Sequence, residues 1–420
     1  MASMDEKLRD ALKWHGEDLL KLQGVVGHAV STKYVKGKDT KTPCITVYVK
    51  KKVPQSEISA ENVIPALLTP EVQTDVVEVG EVVAWTTLAS APLGTSAPPA
   101  PPGTRDVSSH LKRVRPVCGG ISVGPTNFLM AGTIGLPLVY KGNVPCILSN
   151  THVLAPYWYK TDPNAPPRWD EKYGIHVGAN IRQPSQMDGG IEPDDYMAQL
   201  LDWAEISLDK PNQIDAAIAG LTVPAEATLL ELGGYSSIAD AQIGDQVTKT
   251  GRTTGVTSGQ ISALSVTMQV QYPHGVATME GEVAIYGSGF SAAGDSGSAI
   301  VRKSDRAVMA LLFAGSSTIT LGVPIKAVFD RFGLSLSPPG TPIPEALAGI
   351  AGKYAIVWGF NNLTSQWVMY DPTDPGSTLT MLQKGGGYWI YLRENCQLTY
   401  QGFTWDLAAG WRLIGWVAES

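Results

Sequence analysis

Between residues 4 and 22 the apolar positions Leu8, Leu12, Leu19 and Leu20 recur at helical spacing with charges opposite them, which predicts an amphipathic helix. The period then shortens. Three runs, Val25–Tyr34, Cys44–Val53 and Thr74–Val82, read as strands, with a short helix expected at 56–62 before Pro65. Together these predict a small α+β domain over 1–89. The segment SAPLGTSAPPAPPGT that follows cannot build a core, so 90–113 reads as a Pro-rich linker. From 114 to 337 many short β runs alternate with turn residues, enough chain for two six-stranded barrels. A second Pro-rich break, LSLSPPGTPIPE, leads into a linker at 338–350. Short alternating strands resume over 351–420, separated by Asn361-Asn362, Asp374-Pro375-Gly376 and Gly385-Gly386-Gly387.

Composition sharpens this picture. At 420 residues the chain has room for two or three domains at roughly 150 residues each. Apolar residues at 44% and charged residues at 17% mark a globular protein, and 44 glycines with 29 prolines fit a mainly β one. The net charge of -7 argues against a general nucleic-acid binder. The basic stretches Lys50-Lys51-Lys52 and Lys112-Arg113-Val114-Arg115 read as solvated surface or linker. No apolar run reaches the roughly 20 residues that span a bilayer. The first residues carry acids throughout and show no signal-peptide pattern, so a cytoplasmic location is expected unless another export route operates. Cys44, Cys118, Cys146 and Cys396 fit no zinc pattern. Only Cys118 and Cys146 share a domain and could form a bridge, but buried thiols are the expectation in a reducing compartment.

Trp358, Trp367, Trp389, Trp405, Trp411 and Trp416 are more than half of the chain's eleven tryptophans and all fall in the last 70 residues. Such density suits either a ligand-stacking platform or the core of a small β module built from few, large side chains. The core reading is preferred.

The sharpest chemical signal is Gly294-Asp295-Ser296-Gly297. Acyl transfer needs a hydroxyl nucleophile on a turn whose backbone N–H groups face the developing oxyanion, here those of Gly294 and Ser296. A serine also needs an adjacent base. Of the six histidines, His15, His28, His110, His176 and His274 lie on the first helix, the first strand, the spacer and two loops. His152 alone follows a strong apolar strand, Pro145-Cys146-Ile147-Leu148-Ser149-Asn150, and opens a short apolar turn. An acid embedded in apolar residues, Ile214-Asp215-Ala216-Ala217-Ile218-Ala219, supplies the carboxylate that would orient the imidazole.

These three residues occur in the order His, Asp, Ser, spaced 63 and 81 positions apart, the order of the chymotrypsin-like fold. LSNTHVLA and IDAAIA look like that fold's histidine and aspartate motifs. The stretch Thr248-Lys249-Thr250-Gly251-Arg252-Thr253-Thr254-Gly255, with Ser258-Gly259-Gln260-Ile261 and Gly322-Val323-Pro324-Ile325, resembles the bacterial α-lytic protease and streptogrisin branch. Residues 15–90 are similar to the N-terminal region of bacterial relatives of the plant narrow-leaf proteases. The C-terminal pattern resembles a small β module appended to bacterial exported proteins. The resemblance implies a double six-stranded β-barrel with a small N-terminal α+β domain and a small C-terminal β module. It implies a serine endopeptidase acting through His152, Asp215 and Ser296 on protein or peptide substrates, with no cofactor and no metal.

In relatives of the bacterial branch an internal arginine pairs with the aspartate before the nucleophile, which implies an Arg252–Asp295 ion pair and activity without zymogen cleavage. Specificity is expected from Phe290, Ala292 and Gly315. Phe290 stands six residues before Ser296, where trypsin-type enzymes place an aspartate, so an uncharged residue before the cut is expected. Ser298 replaces the family's usual glycine. A regulatory or autoinhibited protein on the same fold is the alternative, with the N-terminal domain across the cleft. A homo-oligomer, and an unknown partner for the C-terminal module, are further expectations.

Overall fold

The computed structural model describes residues 3–35, 38–84, 106–126, 128–156, 175–235, 237–338, 340–361 and 366–417. The Pro-rich segment at 90–104 lies outside them. None of the described helices is long and apolar enough to cross a membrane. The chain divides into two compact units, one built from 1–138, 146–220 and 225–332, the other from 139–145, 221–224 and 333–420.

In the first unit the helix Met4–Lys21 begins where Ser3 and Glu6 form a capping box, each side chain bonded to the other's backbone N–H. Its apolar face packs Leu8, Ala11 and Leu19 on Val30, Ile45, Val47 and Val72 of the strands Val25–Val35, Lys38–Val49 and Val72–Glu78. The helix predicted at 56–62 is instead two isolated 3-10 turns, Gln55–Glu57 and Ala60–Asn62. Pro54 and Pro65 confine that segment, leaving too little chain for the bonds that would propagate an α-helix.

The sheet continues from these strands into a barrel. Gln246–Lys249, Ala299–Arg302, Val308–Gly315, Ile319–Pro324, Gly275–Tyr286 and Thr257–Tyr272 pair in that order, and Thr257–Tyr272 pairs back onto Gln246–Lys249, closing six strands on themselves. The same long strand also pairs through Ala263–Met268 with Val25–Val35. One 16-residue strand thus belongs to both the barrel and the N-terminal sheet.

A second set of strands follows the order Val144–Ser149, Ala217–Leu221, Tyr196–Trp203, Asn180–Arg182, Ser122–Pro125 and Gly132–Thr133. Gly132–Thr133 runs on through Gly135, whose N–H donates to Leu148 O at 2.9 Å, into Leu136–Lys141, which pairs with Val144–Ser149 and so joins the end of this order to its start. The architecture is mainly β, with two barrels of six strands. His110, read from sequence as part of the spacer, is buried on a short helix, its Nε2 3.1 Å from Thr250 Oγ1. Cys44, Cys118 and Cys146 are buried thiols.

In the second unit, Gln366–Tyr370, Tyr354–Asn361, Gly387–Leu392 and Gly410–Gly415 form a four-stranded antiparallel sheet. Val357, Tyr388, Ile390, Leu392 and Ile414 face its core, joined by buried Trp416 and by Trp405, whose rings stack at 5.3 Å. The core reading holds for those two tryptophans only. Trp367, Trp389 and Trp411 are exposed, and with half-buried Trp358 they line one depression on the outer face. The strand period is the reason: Trp389 and Tyr391 alternate with Tyr388, Ile390 and Leu392, and both faces of that strand are apolar.

Candidate active site

The site begins with two neighbouring strands. Val144–Ser149 pairs antiparallel with Ala217–Leu221, Ser149 opposite Ala217, so His152 just after one strand meets Asp215 just before the other. Local bonds fix both ends. Asn150 Nδ2 donates to Asp215 O at 2.6 Å, and the Thr151 hydroxyl lies 2.7 and 2.8 Å from the carbonyls of Ala204 and Ala216. His152 Nδ1 is then 2.5 Å from Asp215 Oδ2, and the His152 N–H reaches Asp215 Oδ1 at 3.3 Å. Tyr272, at the end of the long shared strand, donates its hydroxyl to the same Oδ2 at 2.9 Å. Every one of these groups is fully buried, and His152 Nε2 has no hydrogen-bond partner among the described residues.

Ser296 sits on the turn before Ala299–Arg302. Gly294 takes φ +95°, a conformation that a side chain disfavours, and the turn is tied by Asp295 N to Ala292 O, Gly297 N to Leu312 O and Ser298 N to Asp295 O. The amides of Gly294 and Ser296 are not used in those three bonds. Thr133 joins this turn to the other barrel: its N–H donates to Ser296 O and its hydroxyl to Gly294 O, both at 2.8 Å. The His152 turn and the Ser296 loop converge on Gly132, where a Cβ would lie 2.5 Å from Val153 Cγ2 and 3.1 Å from Ser296 O. The Ser296 hydroxyl points to Phe313 O at 3.2 Å. Ser298 turns its hydroxyl back on Asp295 O at 2.6 Å.

Asp295 is held, but not by Arg252. The chain reverses between Gly251 and Gly255, each donating its N–H to the other's carbonyl, and this throws the Arg252 side chain onto Asp188. Its Nε and Nη2 meet the two carboxylate oxygens of Asp188 at 2.6 and 2.5 Å. The expected Arg252–Asp295 pair is therefore replaced by two others. Lys249 Nζ lies 3.3 Å from Asp295 Oδ2 with both side chains fully buried. Asp295 also accepts from the amides of Ala292, Thr253 and Thr254 and from the Thr254 hydroxyl. Burial pulls the Lys249 ammonium below the usual lysine range, and the Asp295 carboxylate opposes that shift. Gly251 presses against the carboxylate, a Cβ there falling 2.4 Å from Asp295 Oδ1, so backbone occupies the space an arginine would need.

Of the expected specificity residues, Phe290 is spent on the barrel core with Val247, Ile261, Ile285 and Leu312, so the preference inferred from its position loses its basis. Ala292 contributes a backbone bond to Asp295. Gly315 lies on the edge of Val308–Gly315 and is already paired with Val83. Asp188, Lys249, Tyr272 and Glu282 escaped the sequence reading. Glu282 is fully buried, both carboxyl oxygens lack a partner among the described residues, and burial with the nearby Asp215 charge raises it well above its ordinary value.

That acid makes a prediction. A carboxyl that binds its proton more tightly folded than unfolded stabilises the fold below the unfolded value near 4.5, and this contribution is lost as pH rises above it. Glu282→Gln keeps the shape and removes the titration. Denaturant melts should show the variant equal to wild type near pH 4 and more stable at pH 8. Identical pH dependences for the two proteins would count against a neutral Glu282.

A histidine bonded to a buried carboxylate on one barrel, and a serine on a glycine turn of a second closed barrel, define the arrangement. The fold is chymotrypsin-like. Over about half its length the chain is similar to bacterial serine proteases of that type. A glutamic acid specific serine protease matches at 19% identity and a TM-score of 0.37, covering 53% of this chain and 100% of its own. Nocardiopsis protease matches at 17% and 0.36, over 52% and 97%. Thermobifida fusca protease A matches at 17% and 0.37, over 53% and 98%. No protein-family model matches the chain, and no curated protein does.

Proposed function

We propose that this chain is a serine endopeptidase. The observation that carries the reading is the buried His152–Asp215 contact, which occupies Nδ1 and leaves Nε2 as the basic nitrogen. In the proposed reaction Nε2 takes the proton of Ser296 Oγ as that oxygen attacks a peptide carbonyl. The amides of Gly294 and Ser296 receive the oxyanion. The imidazolium then protonates the leaving amine, and water hydrolyses the acyl-enzyme by the same route reversed. Asp215 holds the tautomer and stabilises the imidazolium, while Tyr272 and the His152 N–H hold Asp215. Lys249 and Asp295 keep the nucleophile turn in shape, and no cofactor enters the scheme.

The test is labelling with a fluorophosphonate, followed by mass mapping, on wild type, Ser296→Ala and His152→Ala. An adduct on Ser296 is expected in wild type and lost in both variants. Folded wild-type protein that forms no adduct would remove the hydrolytic reading and leave a regulatory protein on a protease fold. One observation favours a regulated enzyme over an open one: Val83–Ala84 pairs with Ala314–Gly315, next to Phe313, whose carbonyl accepts the Ser296 hydroxyl.

A further inference from the structure

The strand Val308–Gly315 has two edges. Ile319–Pro324 covers one along most of its length, with Ala314 opposite Leu321 and Gly315 opposite Thr320. Ala299–Arg302 covers the other only from Val308 to Leu311, leaving the Ala314–Gly315 edge open. That edge adjoins Phe313, whose carbonyl accepts the Ser296 hydroxyl. It is a place where an extended peptide could add as a strand and present a carbonyl to the nucleophile.

The edge is already taken. Val83 pairs with Gly315 and Ala84 with Ala314, antiparallel. The direction matters chemically. A peptide on the acyl side of a scissile bond must have its carboxyl end at the nucleophile, and Val83–Ala84 runs from Gly315 toward Phe313. The segment is anchored as well as docked. Val82 O accepts from Gln271 N at 2.8 Å, Val79 N donates to Val49 O at 3.0 Å, and Val79, Val82 and Ala84 are buried.

We propose that Val83–Ala84 is a substrate-mimicking strand, and that the N-terminal domain is an intramolecular competitor for peptides extending along the Ala314–Gly315 edge. This rests on the hydrolytic reading for its consequence in turnover, but strand occupancy can be tested without turnover. A competitor of this kind blocks long peptides and spares a short ester that needs only Ser296 and the oxyanion amides.

Two variants loosen the strand by different means. Val83→Pro removes its amide, and Ala84→Glu places a charge at a buried position. Circular dichroism melts establish that the rest of the protein stays folded. For a peptide substrate with at least three residues before the cut, kcat/KM should rise about tenfold in either variant. Hydrolysis of p-nitrophenyl acetate should stay within about twofold. In a protein that hydrolyses the ester, peptide and ester rates that rise together, or a peptide rate that does not rise, would overturn the proposal. In a Ser296→Ala background, the peptide with the sequence of residues 79–84 should bind about tenfold more tightly once Ala84→Glu is added. Equal affinity overturns the competitor. Peptide binding that improves while every variant stays inactive overturns the protease reading alone.

Discussion

Asp215→Asn should lower kcat on a peptide substrate about ten-thousandfold at neutral pH with the fold unchanged. The aspartate accepts from His152 Nδ1 at 2.5 Å and from the Tyr272 hydroxyl at 2.9 Å, all within a fully buried site. An asparagine of the same shape can offer its N–H to Nδ1, which moves the imidazole proton to Nε2 and removes the base. It also leaves the imidazolium without a counter-charge where water cannot supply one. Steady-state kinetics with a chromogenic peptide, alongside circular dichroism, provide the comparison. A loss of less than about tenfold would mean that Asp215 is a structural acid and that His152 is not the base.

The second large effect is on stability. Lys249→Met removes a fully buried cation 3.3 Å from Asp295 and leaves the carboxylate buried with only hydrogen-bond donors. Breaking a buried pair from one side costs about 3–5 kcal/mol. For a unit of this size that corresponds to a fall in Tm of about 10 °C. The turn holding Ser296 is tied through Asp295, so turnover should fall along with Tm. Adding Asp295→Asn to Lys249→Met should recover part of the loss, because the orphaned charge is then gone. A single variant melting within a degree or two of wild type would show that the amides of Ala292, Thr253 and Thr254 suffice to hold Asp295.

What could be read from sequence divides along physical lines. His152, Asp215 and Ser296 stood out because each lies in a short local pattern whose chemistry is self-explanatory: a strand end, an acid among apolar residues, a glycine turn. Their neighbours depend on distant chain. Asp188 follows Ser185 in a polar loop, and nothing local separates it from a surface acid, yet it binds Arg252 across 64 residues. Lys249 did carry a signal, a lone cation alternating with strand residues, but motif resemblance drew the pairing to Arg252. Which of two basic residues three positions apart reaches Asp295 is decided by the reversal at Gly251–Gly255. The spacing of Phe290 from Ser296 suggested a pocket position, whereas the barrel uses it as core. The exposed tryptophans were misread because period-two alternation gives two faces and no rule for which is buried when both are apolar. Val83–Ala84 is two residues long and owes its existence to an open edge 230 residues away.

The shared strand Thr257–Tyr272 has a consequence for any attempt to isolate the barrels. Removing the first 105 residues would not peel away an accessory lobe. It would strip the partner from Ala263–Met268 and leave a row of unsatisfied backbone donors and acceptors, flanked by Val266 and Met268, open to solvent. A bare edge of that kind recruits strands from other molecules. The shortened protein would trade one intramolecular neighbour for whatever chain reaches it first, and its failure would appear as precipitation before any effect on the site could be measured.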